Sequence, residues 1–440
     1  MPLDTHLLSV LSPWLAAPAW RVAFSGGLDS TVLLHLLAGL ARHQALPPLS
    51  AVHVRHGLQA AAEAWPQHCQ QVCHSLGIPL RVESVQVAPG ASVERAARQA
   101  RYAAFAALLG SGELLLTAQH RDDQAETLLF RLLRGAGVRG LAGMPAQRPL
   151  GRGTLVRPLL GLSRAELEAY ARAQGLVWVE DPSNDDTRYS RNYLRRQVLP
   201  TLTARWPQAQ ASLARSAAQL GEAQGLLDEL AMLDLAAART SSVEFPWLAL
   251  PSLALAPLRA LSPARQRNAL RHWLVSLTLL PDSEHWRGWE NLRDAAQDAT
   301  PVWRLERGEL RRADGRLWWL SGEWQEMPCL PAKGLPILSS ESLVLPGNGR
   351  VRLQGGGAPE ALCIRYRRGG EVLQVPGRGR RDLKRLLSER AVPGFVRARL
   401  PLLCRGDEVI AVANLPELGA WGADAWQLIW QAPTNDQGLS

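Results

Sequence analysis

The chain has 440 residues, 47% hydrophobic and 20% charged, an ordinary balance for a globular protein and enough length for two or three cored domains. Its formal net charge of +9 is carried almost wholly by arginine, Lys333 and Lys384 being the only lysines. That charge suits a polyanionic partner, although an Arg- and Ala-rich composition supplies part of it. No apolar run is long enough to span a bilayer, and residues 1–20 lack the basic start and cleavage site of a signal peptide, so no membrane contact and a cytoplasmic location are expected.

Arg21–Phe24 reads as a strand and Thr31–Leu37 as a buried helix. Between them lies Ser25-Gly26-Gly27-Leu28-Asp29-Ser30. A strand feeding a glycine turn that opens a helix is a phosphate cradle. The glycines let successive N–H groups face one anion, the two serines add hydroxyls, and the helix N-terminus adds positive potential. Asp29 either caps the helix or holds a magnesium ion that offsets its repulsion of phosphate. The loop lacks the Gly-Lys-Ser/Thr ending of a Walker-type site.

Ser50–Val54 predicts a second strand and a right-handed βαβ unit. Arg55–Leu58 follow its end, where ligands sit in open parallel sheets. His53 and His56 are candidates for adenine or ribose contact or for packing, with packing favoured for His53. A helix over Gln67–Leu76 stops at Gly77. On it His68, Cys69, Cys73 and His74 are only partly co-facial, so packing is expected there rather than a metal. None of the five cysteines forms a Cys-x-x-Cys pair, which leaves a zinc ribbon or iron–sulfur site without a ligand set.

Leu80–Val87 reads as a strand and Ser92–Tyr102 as a helix. Arg95, Arg98 and Arg101 on that helix make a solvated stripe, or one of them turns towards nucleotide phosphates. Glu113–Thr117 is a buried strand leading into Ala118–Thr127, which opens a helix running to about Arg134. Asp122, Asp123 and Glu126 converge on one side of it, beside His120. First-turn acids often complement the helix dipole. Three acids and a histidine at the end of a buried strand are more than that role needs, and they form a candidate catalytic group.

Thr154–Arg157 predicts a fifth strand, and Ser163–Glu166 a capping box. Trp178–Asp186 is a turn-rich loop before a helix at Arg191–Arg196. Pro182 and Ser183 read as structural there, and Arg191 and Arg195 as RNA contacts. Residues 201–300 are Ala/Leu-rich and helical, with tryptophans expected in the core. Asp314-Gly315 signals a hairpin between Val302–Glu306 and Leu317–Leu320. In the last segment Arg365, Arg367, Arg378, Arg380, Arg381 and Lys384, on glycine loops and a basic helix, form a candidate phosphate-backbone site.

The hexapeptide resembles the PP-loop, Ser-Gly-Gly-x-Asp-Ser, of the ATP pyrophosphatases. That resemblance implies that Ser25, Gly26, Gly27, Leu28, Asp29 and Ser30 bind ATP while AMP passes to a substrate oxygen. The segments SGGLDS, HVRHGL, RQARYAAF, LLTAQHRDDQAET, RPLLGLSRAELEAYA, WVEDPSNDD and RNYLRRQVLP follow one another as in the tRNA(Ile)-lysidine synthetases. The RxGGE, LKxLL and PLL elements near the end are similar to the same family, with Phe395 where tryptophan is usual.

The resemblance implies a doubly wound, mostly parallel α/β sheet, then a helical middle domain and a small α+β C-terminal domain. The expected boundaries are 1–203 for the ATP-binding catalytic domain, 204–325 for a mainly helical substrate domain, 326–358 for a linker or edge-strand region and 359–431 for a basic tRNA-binding domain. The implied reaction adenylates the C2 oxygen of the wobble cytidine in a CAU-anticodon isoleucine tRNA. The ε-amine of free lysine then displaces AMP to give lysidine, which pairs with A rather than G and shifts reading from AUG to AUA. Asp29, with Asp123 or Asp122, is expected to place magnesium. Asp123 or Glu126 is expected to orient or deprotonate lysine. The resemblance leaves room for a homodimer. Competing readings are a tRNA 2-thiolation enzyme, which needs paired cysteines or a sulfur relay, a small-molecule synthetase, and an inactive RNA-binding relative.

Overall fold

The computed structural model describes residues 2–55, 64–87, 93–239, 245–281, 284–296, 299–337, 342–354, 362–375, 377–419 and 427–435. The chain divides into two compact units, Met1–Leu226 and Leu227–Ser440. No helix among the described residues is long and apolar enough to cross a membrane.

The first unit opens with helix α1 (Leu3–Leu11) and then alternates strand and helix. Its elements are β1 (Trp20–Ala23), α2 (Leu28–His43), β2 (Leu49–Arg55), α3 (Trp65–Leu76), β3 (Leu80–Ser84), α4 (Val93–Leu108), β4 (Leu114–Leu116) and α5 (Arg121–Leu132). After a one-turn helix, α6 (Val138–Leu141), come β5 (Gln147–Leu150), β6 (Gly153–Val156) and α7 (Arg164–Ala173). The strand order is β3-β2-β1-β4-β6-β5. All neighbours are parallel except β5 and β6, which form an antiparallel pair at the edge.

The central strands are apolar on both faces because both faces are covered. Leu33 and Leu37 of α2, Leu7 of α1, Cys69 of α3 and Leu167 of α7 pack with Val22 and Leu116 on one side. Phe105 and Leu109 pack with Val52, Val54, Leu115 and Leu155 on the other. The sheet is therefore doubly wound, as expected from the sequence.

Strand β5 is an addition to that expectation. It contains Pro149, which an edge strand tolerates because the missing N–H faces no neighbour. Three chain boundaries also move: the third strand ends at Ser84, α4 extends to Leu108, and α5 ends at Leu132.

The second unit has two cores. In one, Trp273, Trp286, Trp289, Trp303 and Trp319 are buried together with Leu270 and Leu310. The helices Pro263–Leu274 and Arg287–Asp294 accompany a four-stranded sheet made of Ser252–Ala254, Arg316–Leu320, Gly308–Ala313 and Val302–Leu305. The middle segment is thus not helical throughout: Ser252–Ala254 joins the hairpin by pairing with Arg316–Trp318. In the other core a six-stranded sheet and a three-stranded sheet surround Ile364, Leu403, Leu387 and Trp430. Phe395 packs there against Trp318 and Trp324, both with ring centroids 6.0 Å away.

Candidate active site

Strands β1 and β4 are neighbours, but the connections leaving them run to opposite sides of the sheet. Ligands in open α/β sheets bind at such a switch point, beyond the strand C-termini. Here those ends are the glycine turn after β1 and the His120–Asp123 turn after β4. Both line one cleft of about 960 Å³, together with Arg101, Tyr102, Arg164, Val179 and Arg195. Ser25 and Asp123 therefore face the same space.

Gly26 has a φ of +84°, a value that side-chain-bearing residues rarely adopt. A Cβ there would meet Val179 Cγ2 at 2.9 Å and Cys69 Sγ at 3.0 Å. The Val179 N–H donates to Gly26 O at 2.9 Å, so the segment after α7 straps the turn in place. The serines tie the turn from within. Ser25 N–H donates to Ser30 Oγ at 3.2 Å, Gly27 N–H to Ser25 Oγ at 3.3 Å, and Ser30 Oγ–H to Gly27 O at 3.1 Å.

The acids converge on one imidazole. His120 Nε2 lies 3.6 Å from Asp29 Oδ2 and 3.5 Å from Asp123 Oδ2. Burial disfavours the imidazolium, but Asp29, Asp123 and Asp122 outweigh it and raise the His120 pKa above its ordinary value. Burial likewise pushes Asp29 up, and His120, Arg164 and Arg195 more than reverse this, leaving it below the usual carboxylate range. Asp123 also receives the His120 N–H on Oδ2 at 3.1 Å, which caps α5.

Arg195, expected on sequence as an RNA contact, lies among these acids. Its Nε donates to Glu126 Oε1 at 2.5 Å, and one terminal nitrogen donates to Glu126 Oε2 at 2.9 Å and to Asp123 Oδ1 at 3.2 Å. Burial raises the Glu126 pKa, and Arg195 only partly offsets it. The same acids raise Arg195 despite its own burial.

Two carboxylate oxygens of this cleft stay unmatched: Asp29 Oδ1 and Asp122 Oδ1 are buried without a hydrogen-bond partner among the described residues. Buried polar atoms of this kind need a ligand, a water or an ion to satisfy them. Magnesium is typically held by one or two carboxylates plus substrate phosphates, so these oxygens suit it. Asp122 Oδ2 accepts the Arg164 N–H at 3.4 Å. Among the described residues no group of three or more His, Cys, Asp or Glu is arranged to hold a metal by itself.

The other sequence candidates differ in where they lie. Arg191 donates to Thr127 Oγ1 at 3.2 Å and does not line the cleft. His53 is buried and also lines the cleft, with Nδ1 hydrogen-bonded to Phe24 O at 2.9 Å at the end of β1, while His56 lies outside the described residues. Cys69 and Cys73 are buried, and desolvation pushes their thiols to about 12 and about 11.

The basic residues of the second unit separate into two sets. Arg365 and Arg367 are half-buried and paired with Asp407 at 3.1 Å and Glu371 at 3.6 Å. Arg378, Arg380, Arg381 and Lys384 are exposed on and beside the strand Gly379–Asp382 and the helix Leu383–Glu389.

The sequence reading missed the strap from Val179 and the pairing of Arg195 with Glu126 and Asp123. Asn192 holds the loop before Arg195 by donating to the carbonyls of Ser183 and Asp186 at 2.8 and 3.0 Å. The EDPSN and RN-x-LR segments thus work together to deliver Arg195 to Glu126.

The PP-loop domain family matches residues 3–202, the TilS substrate binding domain residues 253–318, and the TilS substrate C-terminal domain residues 362–430. The tRNA(Ile)-lysidine synthase of Pseudomonas fluorescens (strain Pf0-1) is 64% identical over 99% of this chain and 98% of its own. That of Pseudomonas aeruginosa PAO1 is 64% identical over 100% and 99%, and that of Pseudomonas syringae pv. tomato DC3000 63% over 100% and 98%. With this identity along its whole length, the chain belongs to the tRNA(Ile)-lysidine synthase family.

Proposed function

We propose that this chain joins free lysine to C2 of the wobble cytidine of a CAU-anticodon tRNA(Ile), using ATP and passing through an adenylated RNA. The observation that carries the reading is the single cleft shared by the glycine turn and the Asp123–Glu126–Arg195 cluster. The turn receives the β and γ phosphates on its N–H groups at a helix N-terminus. The C2 oxygen attacks the α-phosphorus and pyrophosphate leaves. The lysine amine then attacks C2, and AMP departs with the oxygen it acquired.

Lysine must lose a proton before it attacks, since its reference pKa is about 10.4. Glu126 is suited to take that proton because burial has raised its own pKa, which makes it a stronger base. Asp123 orients the ammonium on arrival. Asp29 and Asp122, rather than Asp29 and Asp123, would hold magnesium, since theirs are the unmatched oxygens. The metal would supply charge neutralisation of the phosphates.

A 2-thiolation enzyme needs reactive thiolates. The two cysteines of α3 have thiols pushed too high to ionise near neutral pH. Incubating the protein with ATP, labelled lysine and bulk tRNA tests the assignment. Label should remain in RNA only when every component is present; label independent of ATP, or none at all, refutes it.

A further inference from the structure

On the face of the sheet that carries α4, five arginines gather beside the cleft. Tyr102 lines the cleft one turn before the buried Phe105. The guanidinium of Arg98 lies 4.9 Å from its ring centroid and that of Arg148 lies 5.0 Å away. Arg157 is almost fully buried next to them, with Nε unpartnered and a terminal nitrogen donating to Pro145 O at 2.6 Å. Arg131 continues the group towards Arg191.

The hydrogen bonds of these five go only to carbonyls and hydroxyls. Arg131 donates to Gly140 O and Gly143 O, Arg148 to Pro149 O, Arg191 to Thr127 Oγ1, and Arg98 approaches the Tyr102 hydroxyl at 3.5 Å. Among the described residues none of the five forms an ion pair. Burial and like-charged neighbours hold Arg131 and Arg157 below their usual pKa. Tyr102 is held below its own despite burial, by Arg98, Arg157, Arg101 and Arg148.

Cations packed this closely without counter-charge repel one another until an anion joins them. The group draws on α4, α5, the β5–β6 edge and Arg191, whereas the glycine turn that would cradle ATP stands at the end of β1. Two guanidiniums held against one tyrosine ring suit a single strand, offering charge to phosphates and π-surface to bases.

We propose that Arg98, Tyr102 and Arg148, backed by Arg131, Arg157 and Arg191, form an RNA-backbone site that seats the anticodon-loop phosphates beside the nucleotide in the cleft. This deepens the lysidine-forming reading and rests on it for the identity of the RNA.

The test uses the full-length chain and a CAU anticodon stem-loop RNA, with affinity measured against NaCl concentration in the absence of ATP. R98A/R148A should weaken binding about tenfold and flatten the log–log salt slope by about 0.7 for each phosphate no longer neutralised. R98K/R148K should keep most of the slope. ATP affinity without RNA, from calorimetry, should stay within about twofold for both variants. Unchanged RNA affinity and slope in R98A/R148A would overturn the site, and so would an equal loss of ATP affinity, which would make these arginines part of the nucleotide pocket. Neither measurement needs turnover. Failure of wild-type protein to label RNA with lysine therefore removes the reaction alone, and an unaltered salt slope removes this site alone.

Discussion

Arg195 grips Glu126 with two nitrogens of its guanidinium, at 2.5 and 2.9 Å, across 69 residues of sequence. Glu126 is 3% exposed, so its charge has little water to turn to. Removing the arginine leaves a buried carboxylate alone, and breaking pairs of this kind costs about 3–5 kcal/mol. Because Arg195 itself is partly open to solvent, R195A should fall at or below the low end of that range, read as a drop in Tm. R195K keeps the charge but not the two-pronged geometry. It should retain most of the stability and still lose lysine incorporation; an R195K enzyme with wild-type turnover would show that the grip is not needed for chemistry.

Asp29, Asp122 and Glu126 should divide by reaction step. D29N and D122N remove the oxygens suited to magnesium, so both should depress tRNA-dependent pyrophosphate release and raise the magnesium concentration needed for it. E126Q should leave pyrophosphate release in place while lowering lysine incorporation by about 10²–10⁴-fold, the usual contribution of a positioned base. Equal loss of both steps in E126Q would move Glu126 out of the lysine half of the reaction.

Gly26 is constrained twice, by its backbone and by what stands over it. G26A forces a φ of +84° on a residue with a Cβ, at about 1–2 kcal/mol, and drives that Cβ towards Val179 and Cys69. ATP affinity measured by calorimetry should fall. Adding V179A should recover only part of the loss, because it opens the space without relieving the backbone. Full recovery in G26A/V179A would show that the turn tolerates the strain.

These tests concern residues that were unequally readable from the chain. Ser25–Ser30 and the Asp122–Glu126 acids stood out because turn chemistry and helical spacing are local, and the strand-to-helix pattern around each is local too. The partnership of Arg195 with Glu126, and of Val179 with Gly26, is set only when β1, β4 and the segment after α7 come together. Nothing in the periodicity of residues 178–196 points to it. Strand β5 escaped notice because Pro149 breaks the pattern of an interior strand, and Ser252–Ala254 because three residues are too few to show alternation. That Asp29 Oδ1 and Asp122 Oδ1 are buried without a hydrogen-bond partner is a property of packing alone.

Arg21 and Glu113 bind β1 to the chain entering β4, with Nε to Oε2 at 2.7 Å and a terminal nitrogen to Oε1 at 3.0 Å. Arg21, aided by the Gly110 N–H, holds Glu113 below its ordinary pKa in spite of burial. A carboxylate depressed in the folded state adds stability that is present above its unfolded pKa and lost as pH falls through the folded value. E113Q should therefore melt below wild type at pH 7, and the gap should close as the pH drops below about 4.3, the reference value for glutamate. A gap that persists at pH 2 would mean that the glutamate matters for shape and not for charge.

The arginines of the C-terminal sheets should separate in the same way that their partners do. Arg380 and Arg381 lie on a strand whose residues are all exposed, and Arg378 pairs with the exposed Glu389 at 3.1 Å. Arg365 and Arg367 are half-buried and already matched by acids. Replacing Arg378, Arg380 and Arg381 with alanine should weaken binding of full-length tRNA(Ile) and flatten its salt dependence, because a phosphate that meets no arginine keeps its condensed counterions. R365A and R367A should lower Tm and leave the slope where it was. If the triple variant keeps the wild-type slope while R365A loses it, RNA docks on the paired set, and the acids Asp407 and Glu371 must then give way to phosphate when it binds.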